Sequence, residues 1–507
     1  MKKAKGIDKL RPAKVPQLPK VKTGILGFDD ISFGGLPKGR STLISGSSGS
    51  GKTIFAIQFL YAGITEFDEP GVFVTFEENA ADLKRNVESF GWNIDQMEQE
   101  NKCRFIDASI TFENETRVVG EYDLDGLMFR ILGAVKEVKA RRIVLDSIGS
   151  LFHYFQDPAA IRRELFKILS SLKKKNLVVI LTSERLEEYG GVSRFGVEEY
   201  IADNVLILRN VLESERRRRT IEILKYRGSM HSAGEQSFVI NPTTGIQIIP
   251  LTRLQLTQRS SDQRVSSGNK ALDEMCGGGF FKDSILLVSG ATGTGKTLMV
   301  TEFIKGGVEN NERVLFLAYE ESREQLVRNA AGWGVHFAAM EKSGQLRIEA
   351  LYPESAGLEE HLINIQKLIE EFKPARFALD SLSAIERGSS KKNFREFLIA
   401  LTSFLKKKEV MAIFTSTSAN IVGGTSVTDS HISTITDTII LLRYAEVFGN
   451  VHRVVTVLKM RGSKHTKGIF EFDIDHQGMK ISSKEFDRMS GILGGMPLLT
   501  GKDNADN

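Results

Sequence analysis

The chain has 507 residues, 41% hydrophobic and 26% charged, which is enough for roughly two to four domains with real cores. Its 68 basic and 64 acidic side chains leave a formal charge of +4, which counts against a globally basic nucleic-acid binder. Two cysteines, Cys103 and Cys276, give neither a disulfide framework nor a metal-ligand spacing, and no apolar run is long enough to span a bilayer, so a cytoplasmic protein with buried, reduced thiols is expected.

Residues 1–20 are rich in Lys and Pro, lack an apolar signal core and are expected to form a flexible lead-in. The rest of the chain repeats itself. A strand-like run, STLIS (Ser41 to Ser45), leads into GSSGSGKT (Gly46 to Thr53) and a helix-like stretch; ILLVS (Ile285 to Ser289) leads into GATGTGKT (Gly290 to Thr297) and another. FVTFEE (Phe73 to Glu78) answers FLAYEE (Phe316 to Glu321), and Gly91–Trp92 answers Gly332–Trp333. RRIVLDS, ending at Ser147, answers ARFALDS, ending at Ser381, and KYRGSMH (Lys225 to His231) answers KMRGSKH (Lys459 to His465). Six landmarks in one order make two copies of one domain the expected organisation. The copies are assigned to 21–250 and 265–485, joined by a Gln- and Ser-rich linker at 251–264 and followed by a tail at 486–507. Alternating strand-like and helix-like segments give an α/β fold: two tandem P-loop domains of the RecA type, each a mainly parallel sheet flanked by helices.

The pattern G-x-x-x-x-G-K-[ST] between a strand and a helix binds nucleotide phosphates for physical reasons. Glycines let the backbone wrap the phosphate oxygens, and the helix adds its positive end. The loop residues are Gly49, Ser50 and Gly51 in the first copy and Thr292, Gly293, Thr294 and Gly295 in the second. Lys52 and Lys296 are expected to neutralise the β- and γ-phosphates of ATP, while Thr53 and Thr297 offer a hydroxyl to Mg²⁺. Asp146 and Asp380 each close an apolar strand, where a Mg²⁺-holding acid belongs. Glu77–Glu78 and Glu320–Glu321 are read as the end of another strand; since neighbours on a strand face opposite ways, one carboxylate of each pair is expected to face the nucleotide. Lys225 and Arg227, with Lys459 and Arg461, suit either an arginine-finger role toward a neighbouring subunit or a surface hairpin.

The copies differ before Asp203 and Asp437. Glu199 and Tyr200 in VEEYIAD face Ser433 and Thr434 in HISTITD, so the second copy has adjacent hydroxyls where the first has an acid and an aromatic. Pattern alone reads Ser433 and Thr434 as strand fillers or helix caps. The basic run Arg216 to Arg219 sits among Glu213, Glu215 and Glu222 and is read as a solvated hairpin.

The sequence resembles the KaiC family of circadian-clock ATPases and autokinases over roughly residues 20 to 490, on CGGGFFKDS (Cys276 to Ser284), YPESAGLE (Tyr352 to Glu359), FKPAR (Phe372 to Arg376), TDSHISTITDTIILL (Thr428 to Leu442) and KMRGS (Lys459 to Ser463). The resemblance implies a double-ring homohexamer of domains CI and CII, with ATP and Mg²⁺ between subunits. It implies that Glu320 is the CII Mg²⁺ ligand and general base, that Glu77 and Glu78 are the CI catalytic pair, and that Ser89 and Trp333 touch nucleotide. It gives Lys225, Tyr226, Arg227, Ser229 and His231 as contacts from the adjacent CI subunit, with Arg453, Lys459, Met460, Arg461, Ser463 and His465 as CII counterparts. It places phosphoacceptors at Ser433 and Thr434, with Thr428 a nearby third hydroxyl, and leaves water as the acceptor in CI. A KaiB-like partner is expected near Val118 to Leu124, and an output histidine kinase is a further candidate. The short stretch after MSGILGGMPLLTGKD counts against a KaiA-like partner. Neither membrane nor nucleic acid is expected as a partner. A DNA-dependent RecA-type ATPase and a non-catalytic ATP-bound scaffold stand as alternatives, and the intact Glu77, Glu78 and Glu320 argue against the scaffold.

Overall fold

The computed structural model describes residues 18–108, 124–150, 158–194, 196, 198–213, 216–249, 261–417, 432–447, 450–486 and 491–492. Thr428, the stretch 118–123 and the ends at 1–17 and 493–507 lie outside these. The chain divides into two compact units, Met1–Arg253 and Leu254–Asn507.

In the first unit the sheet strands are β1 (Ser41–Gly46), β2 (Gly71–Thr75), β3 (Cys103–Asp107), β4 (Arg142–Asp146), β5 (Val178–Glu184), β6 (Asn204–Glu213), β7 (Arg216–Tyr226), β8 (Glu235–Asn241) and β9 (Gly245–Ile248). They lie in the order β9-β8-β7-β6-β1-β5-β4-β2-β3. The six from β6 to β3 are parallel. The three at the other end are antiparallel. The parallel strands β1, β2 and β4 are buried throughout, as a sheet covered on both faces requires.

The second unit repeats this topology. Its strands are β10 (Ile285–Gly290), β11 (Val314–Ala318), β12 (Leu346–Ala350), β13 (Arg376–Asp380), β14 (Met411–Thr417), β15 (Thr438–Val447), β16 (Asn450–Met460), β17 (Phe470–Asp475) and β18 (Gly478–Glu485). Their order is β12-β11-β13-β14-β10-β15-β16-β17-β18, with Gly491–Ile492 pairing onto β15. Arg264–Val265, at the end of the expected linker, already pairs with Phe280–Phe281 in the second unit. Among the described residues no helix is long and apolar enough to cross a membrane.

Two parallel strands of each unit fix the site. In each unit the central strand, β1 or β10, ends in a glycine loop and turns into a helix, Lys52–Phe67 or Lys296–Glu309, packed on the sheet. Two places along the sheet, beyond β5 or β14, the parallel strands β4 and β13 end in Asp146 and Asp380, so strand order carries an acid to the same end of the sheet as the loop. In both units a cis peptide follows that acid, Asp146–Ser147 and Asp380–Ser381.

Candidate nucleotide sites

Gly51 and Gly295 cap the two loop helices at φ 94° and 98°, left-handed values that suit glycine. No side chain caps either helix, so its first N–H groups are left for a ligand. Lys52 Nζ donates to the carbonyls of Gly46 (2.9 Å) and Ser47 (3.0 Å), and Lys296 Nζ to those of Gly290 (3.0 Å) and Ala291 (2.9 Å). Both ammonium groups are thereby held over the loop.

In the first unit a cleft of ≈ 420 Å³ opens beside Lys52, within the range of small-molecule sites. Four carboxylates line it, from Glu77, Glu78, Asp146 and Glu184, against the two cations Lys52 and Arg219. Adding a polyphosphate to that set calls for a further cation. Burial pushes the carboxyl of Asp146 up, opposed by hydrogen bonds from Thr182 and Thr53 and by Lys52. Asp380 is pushed up in the same way, opposed by Thr415 and Thr297. Thr297 Oγ1 donates to Asp380 at 2.7 Å, and Thr182 and Thr415 each donate to their own unit's acid. Beside each acid a buried hydroxyl, Ser147 or Ser381, has no hydrogen-bond partner among the described residues. Carboxylate plus hydroxyl donors, with room for phosphate oxygens, fit Mg²⁺, a hard cation that keeps much of its shell in phosphate and water.

The glutamate pairs lie just beyond β2 and β11, which end at Thr75 and Ala318. Strand alternation therefore does not govern them, and in the first unit both Glu77 and Glu78 line the cleft, where alternation leads one to expect a single inward carboxylate. Glu77 accepts a hydrogen bond from Ser150. Burial and then Asp146 hold the Glu78 carboxyl above its ordinary value; burial and Asp380 do the same to Glu321, which accepts from Asn329 at 2.8 Å. Glu320 is ion-paired with Arg387.

The residues expected from the adjacent subunit lie at the β6–β7 and β15–β16 edges. Lys225 Nζ donates to the carbonyls of Glu199 and Ala202, both at 2.8 Å. Lys459 Nζ donates to those of Ser433 (2.5 Å) and Thr436 (2.7 Å). Each lysine thus holds a one-turn helix, Glu198–Ile201 or Ile432–Ile435, in the same way. Arg227 pairs with Asp203 at 3.7 Å and Arg461 with Asp437 at 3.6 Å, and Arg461 also donates to the carbonyl of Thr434. The pairing of Glu199 with Ser433 and of Tyr200 with Thr434 is therefore structural as well as sequential.

Tyr226 and Met460 point into their cores, the Tyr226 hydroxyl donating to the Gly35 carbonyl. Ser229 and His231 bond to the carbonyls of Met230 and Ser232, and Ser463 accepts from Arg264. His465 is partly buried near the end of the same turn. Ser89 is exposed at the end of the helix Ala80–Glu88 and does not line the first cleft; Trp333 ends the helix Arg323–Gly332 and packs on the second core.

Sequence reasoning missed Arg219. It was read as part of a solvated hairpin, yet it lines the first cleft and its Nε lies 3.3 Å from the Gly49 carbonyl. Arg453 occupies the matching place, 3.4 Å from Gly293 O. The missed signal was strand alternation within the arginine run, which puts Arg217 and Arg219 on one face and Arg216 and Arg218 on the other.

Known proteins bear on these sites. The family model for the KaiC ATPase matches residues 21–253 and again 265–485. The chain is 57% identical over 489 residues, 96% of each chain, to the circadian clock protein KaiC3 of Synechocystis sp.. It is 54% identical over 482 residues to the circadian clock oscillator protein KaiC of Synechococcus elongatus, covering 95% of this chain and 92% of that one. It is 53% identical over 481 residues to the protein of the same name from Thermostichus vulcanus, again 95% and 92%. With both halves matched and two P-loop sites of one build, the chain belongs to the KaiC family of P-loop ATPases.

Proposed function

We propose that this protein hydrolyses ATP in its first unit and, in its second, phosphorylates and dephosphorylates its own Ser433 and Thr434, acting as a timing or signalling hub. The observation that carries the reading is the helix Ile432–Ile435. Lys459 and Arg461 hold its carbonyls as Lys225 holds those of Glu198–Ile201, but only the second helix presents adjacent aliphatic hydroxyls. The clock names of the relatives support a role in timing.

In the forward reaction a Ser433 or Thr434 oxygen attacks the γ-phosphorus of ATP held by an adjacent copy. A new O–P bond forms, the bond to the β-phosphate oxygen breaks, ADP leaves, and the hydroxyl proton passes to Glu320. Lys296 exchanges its loop carbonyls for phosphate oxygens and stabilises the transferring group. Thr297, Glu320 and the Asp380 carboxylate would hold Mg²⁺, which would supply neutralising charge to the phosphates. The reverse reaction returns the phosphoryl group to ADP. In the first unit Glu77 and Glu78 orient water, and Thr53 and Asp146 would hold the metal. The acceptor lies on a neighbouring copy, so a ring-shaped homo-oligomer, with six copies by family resemblance, is the working assembly; a KaiB-like partner on the first unit belongs to the same reading.

Purified protein incubated with Mg²⁺ and ATP, with phosphate mapped by mass spectrometry, tests this. Phosphate is expected on Ser433 and Thr434 and is expected to vanish in Glu320→Gln. ATP cleavage with neither residue labelled, even with KaiA-like protein added, reduces the protein to an ATPase.

A further inference from the structure

Behind the glutamate pair of the second unit lies a buried polar link that the first unit lacks. Tyr319 directly precedes Glu320 and is 4% exposed. Its hydroxyl lies 3.2 Å from Nδ1 of His361, and Nε2 of that ring lies 3.0 Å from the Pro353 carbonyl. His361 sits on the helix Leu358–Phe372 and is 3% exposed. A carbonyl only accepts, so Nε2 carries the hydrogen; in the neutral ring Nδ1 is then the acceptor, and the tyrosine hydroxyl donates to it. The main-chain N–H of Tyr319 donates to the Asp380 carbonyl at 2.7 Å. One residue therefore joins the motif Tyr352 to Glu359, the strand bearing the metal-site acid and the catalytic glutamates.

The first unit keeps the backbone half of this arrangement and drops the side-chain half. Phe76 N donates to the Asp146 carbonyl at 2.8 Å. The places of Tyr319 and His361 are taken by Phe76 and Leu127, the fourth residue of its helix as His361 is of its own, and both belong to one apolar cluster. Packing alone therefore does not demand the polar pair. A buried hydroxyl and imidazole cost free energy unless both are satisfied, while an apolar pair of similar shape carries no such condition. What the pair adds is direction: a hydrogen bond fixes the rotation of the strand end, where dispersion contacts tolerate slippage.

We infer that Tyr319 and His361 are positioning residues, setting Glu320 and Glu321 for phosphoryl transfer in the second unit. This rests on the proposed second-unit chemistry, but its test does not depend on which acceptor is used. The full chain carrying E77Q/E78Q serves as parent, so that ATP cleavage reports the second unit. Y319F installs the residue the first unit has at this place, and Y319F/H361L rebuilds its apolar pair. Y319F is expected to lower kcat by about tenfold with KM for ATP unchanged. The double variant is expected to regain the parent's unfolding midpoint while kcat stays low, because satisfied packing is restored and direction is not. A kcat for Y319F within roughly twofold of the parent, or a kcat that recovers with the midpoint in the double variant, overturns the inference. Failure of the autokinase reading shows separately, as a parent that cleaves ATP without labelling Ser433 or Thr434.

Discussion

Gln58 and Glu302 stand at one place in the two units, six residues past the loop lysine, and tie the loop helix to the terminal β-hairpin, Gln58 both donating and accepting where Glu302 only accepts. Gln58 donates to the carbonyls of Thr244 (3.2 Å) and Ile246 (3.3 Å) and accepts from Ile246 N at 2.7 Å. Glu302 only accepts, from Met479 N at 2.6 Å and Asn269 Nδ2 at 2.9 Å. Glu302→Gln sets an amide N–H against a donor, and Gln58→Glu sets a carboxylate against two carbonyls. Each is expected to cost about 1–3 kcal/mol, read from the shift of the urea midpoint at constant slope.

The same glutamate makes stability depend on pH. Burial raises its carboxyl above the ordinary value, opposed by its bonds from Met479 and Asn269 and by Lys305. As pH rises through the ordinary carboxylate range, the unfolded chain releases this proton before the folded one does. The folded state then holds more protons, so stability falls until pH passes the raised value. Subtracting the pH profile of the unfolding midpoint in Glu302→Gln from that of the parent is expected to leave this downward step. A flat difference would sink the argument.

Thr182 and Thr415 are the least conspicuous members of the nucleotide sites. Each sits on the strand beside its acid and gives Asp146 or Asp380 a hydroxyl donor. Thr182→Val and Thr415→Val keep the shape and remove that donor, leaving a buried carboxylate oxygen without it. Mg²⁺ dependence of ATP cleavage is expected to shift to roughly tenfold higher metal, as when an outer partner of a metal ligand is lost. Titrating Mg²⁺ at saturating ATP checks it; an unchanged midpoint would assign these hydroxyls to packing.

What the sequence makes legible follows how tightly chemistry constrains spacing. A phosphate loop needs its glycines, lysine and hydroxyl at fixed offsets, so Lys52 and Lys296 stand out without help. Doubling then exposes Asp146 and Asp380, which singly resemble any strand end. Links that form across the fold leave no such trace. Tyr319 and His361 are 42 residues apart, and only the packing of a helix against a strand end joins them. The glutamate pairs show the opposite failure: the strands stop at Thr75 and Ala318, three residues before the expected ends at Glu78 and Glu321, and an alternation rule was applied past them. Arg219 was hidden by its neighbours, since Arg218 does pair with Glu213 at 3.7 Å, as a solvated hairpin predicts.

Arg219 also gives a prediction that separates the two units. Its guanidinium faces the first cleft and contacts the loop itself, where it can meet phosphate oxygens. Arg219→Gln is expected to raise the ATP concentration needed for first-unit cleavage about tenfold, the loss of one charge-assisted contact, while phosphorylation of Ser433 and Thr434 persists. Arg453→Gln is expected to reverse the pattern. Nucleotide titration of each variant, with cleavage and phosphate mapping read side by side, distinguishes them.

A buried arginine holds each unit's entry segment to its sheet. Arg142, with a fully buried side chain, pairs with Glu69 at 2.7 Å and donates to the carbonyls of Phe59 and Lys22; Arg376 pairs with Glu312 at 2.5 Å and donates to those of Ser266 and Phe303. Their planes also lie over Phe59 and Phe303, 4.4 and 4.9 Å from the ring centres. Lysine cannot reproduce that fan of donors, since its charge is a point at the end of a flexible stem. Methionine fills the volume but strands a carboxylate and two carbonyls, so Arg142→Met and Arg376→Met are each expected to cost about 3–5 kcal/mol. Pairing the change with Glu69→Met or Glu312→Met removes the stranded charge, and the double variant is expected to recover part of the loss. Equal losses in single and double variants, measured by urea unfolding, would mean that the arginine acts through its carbonyl and ring contacts and that the ion pair adds nothing.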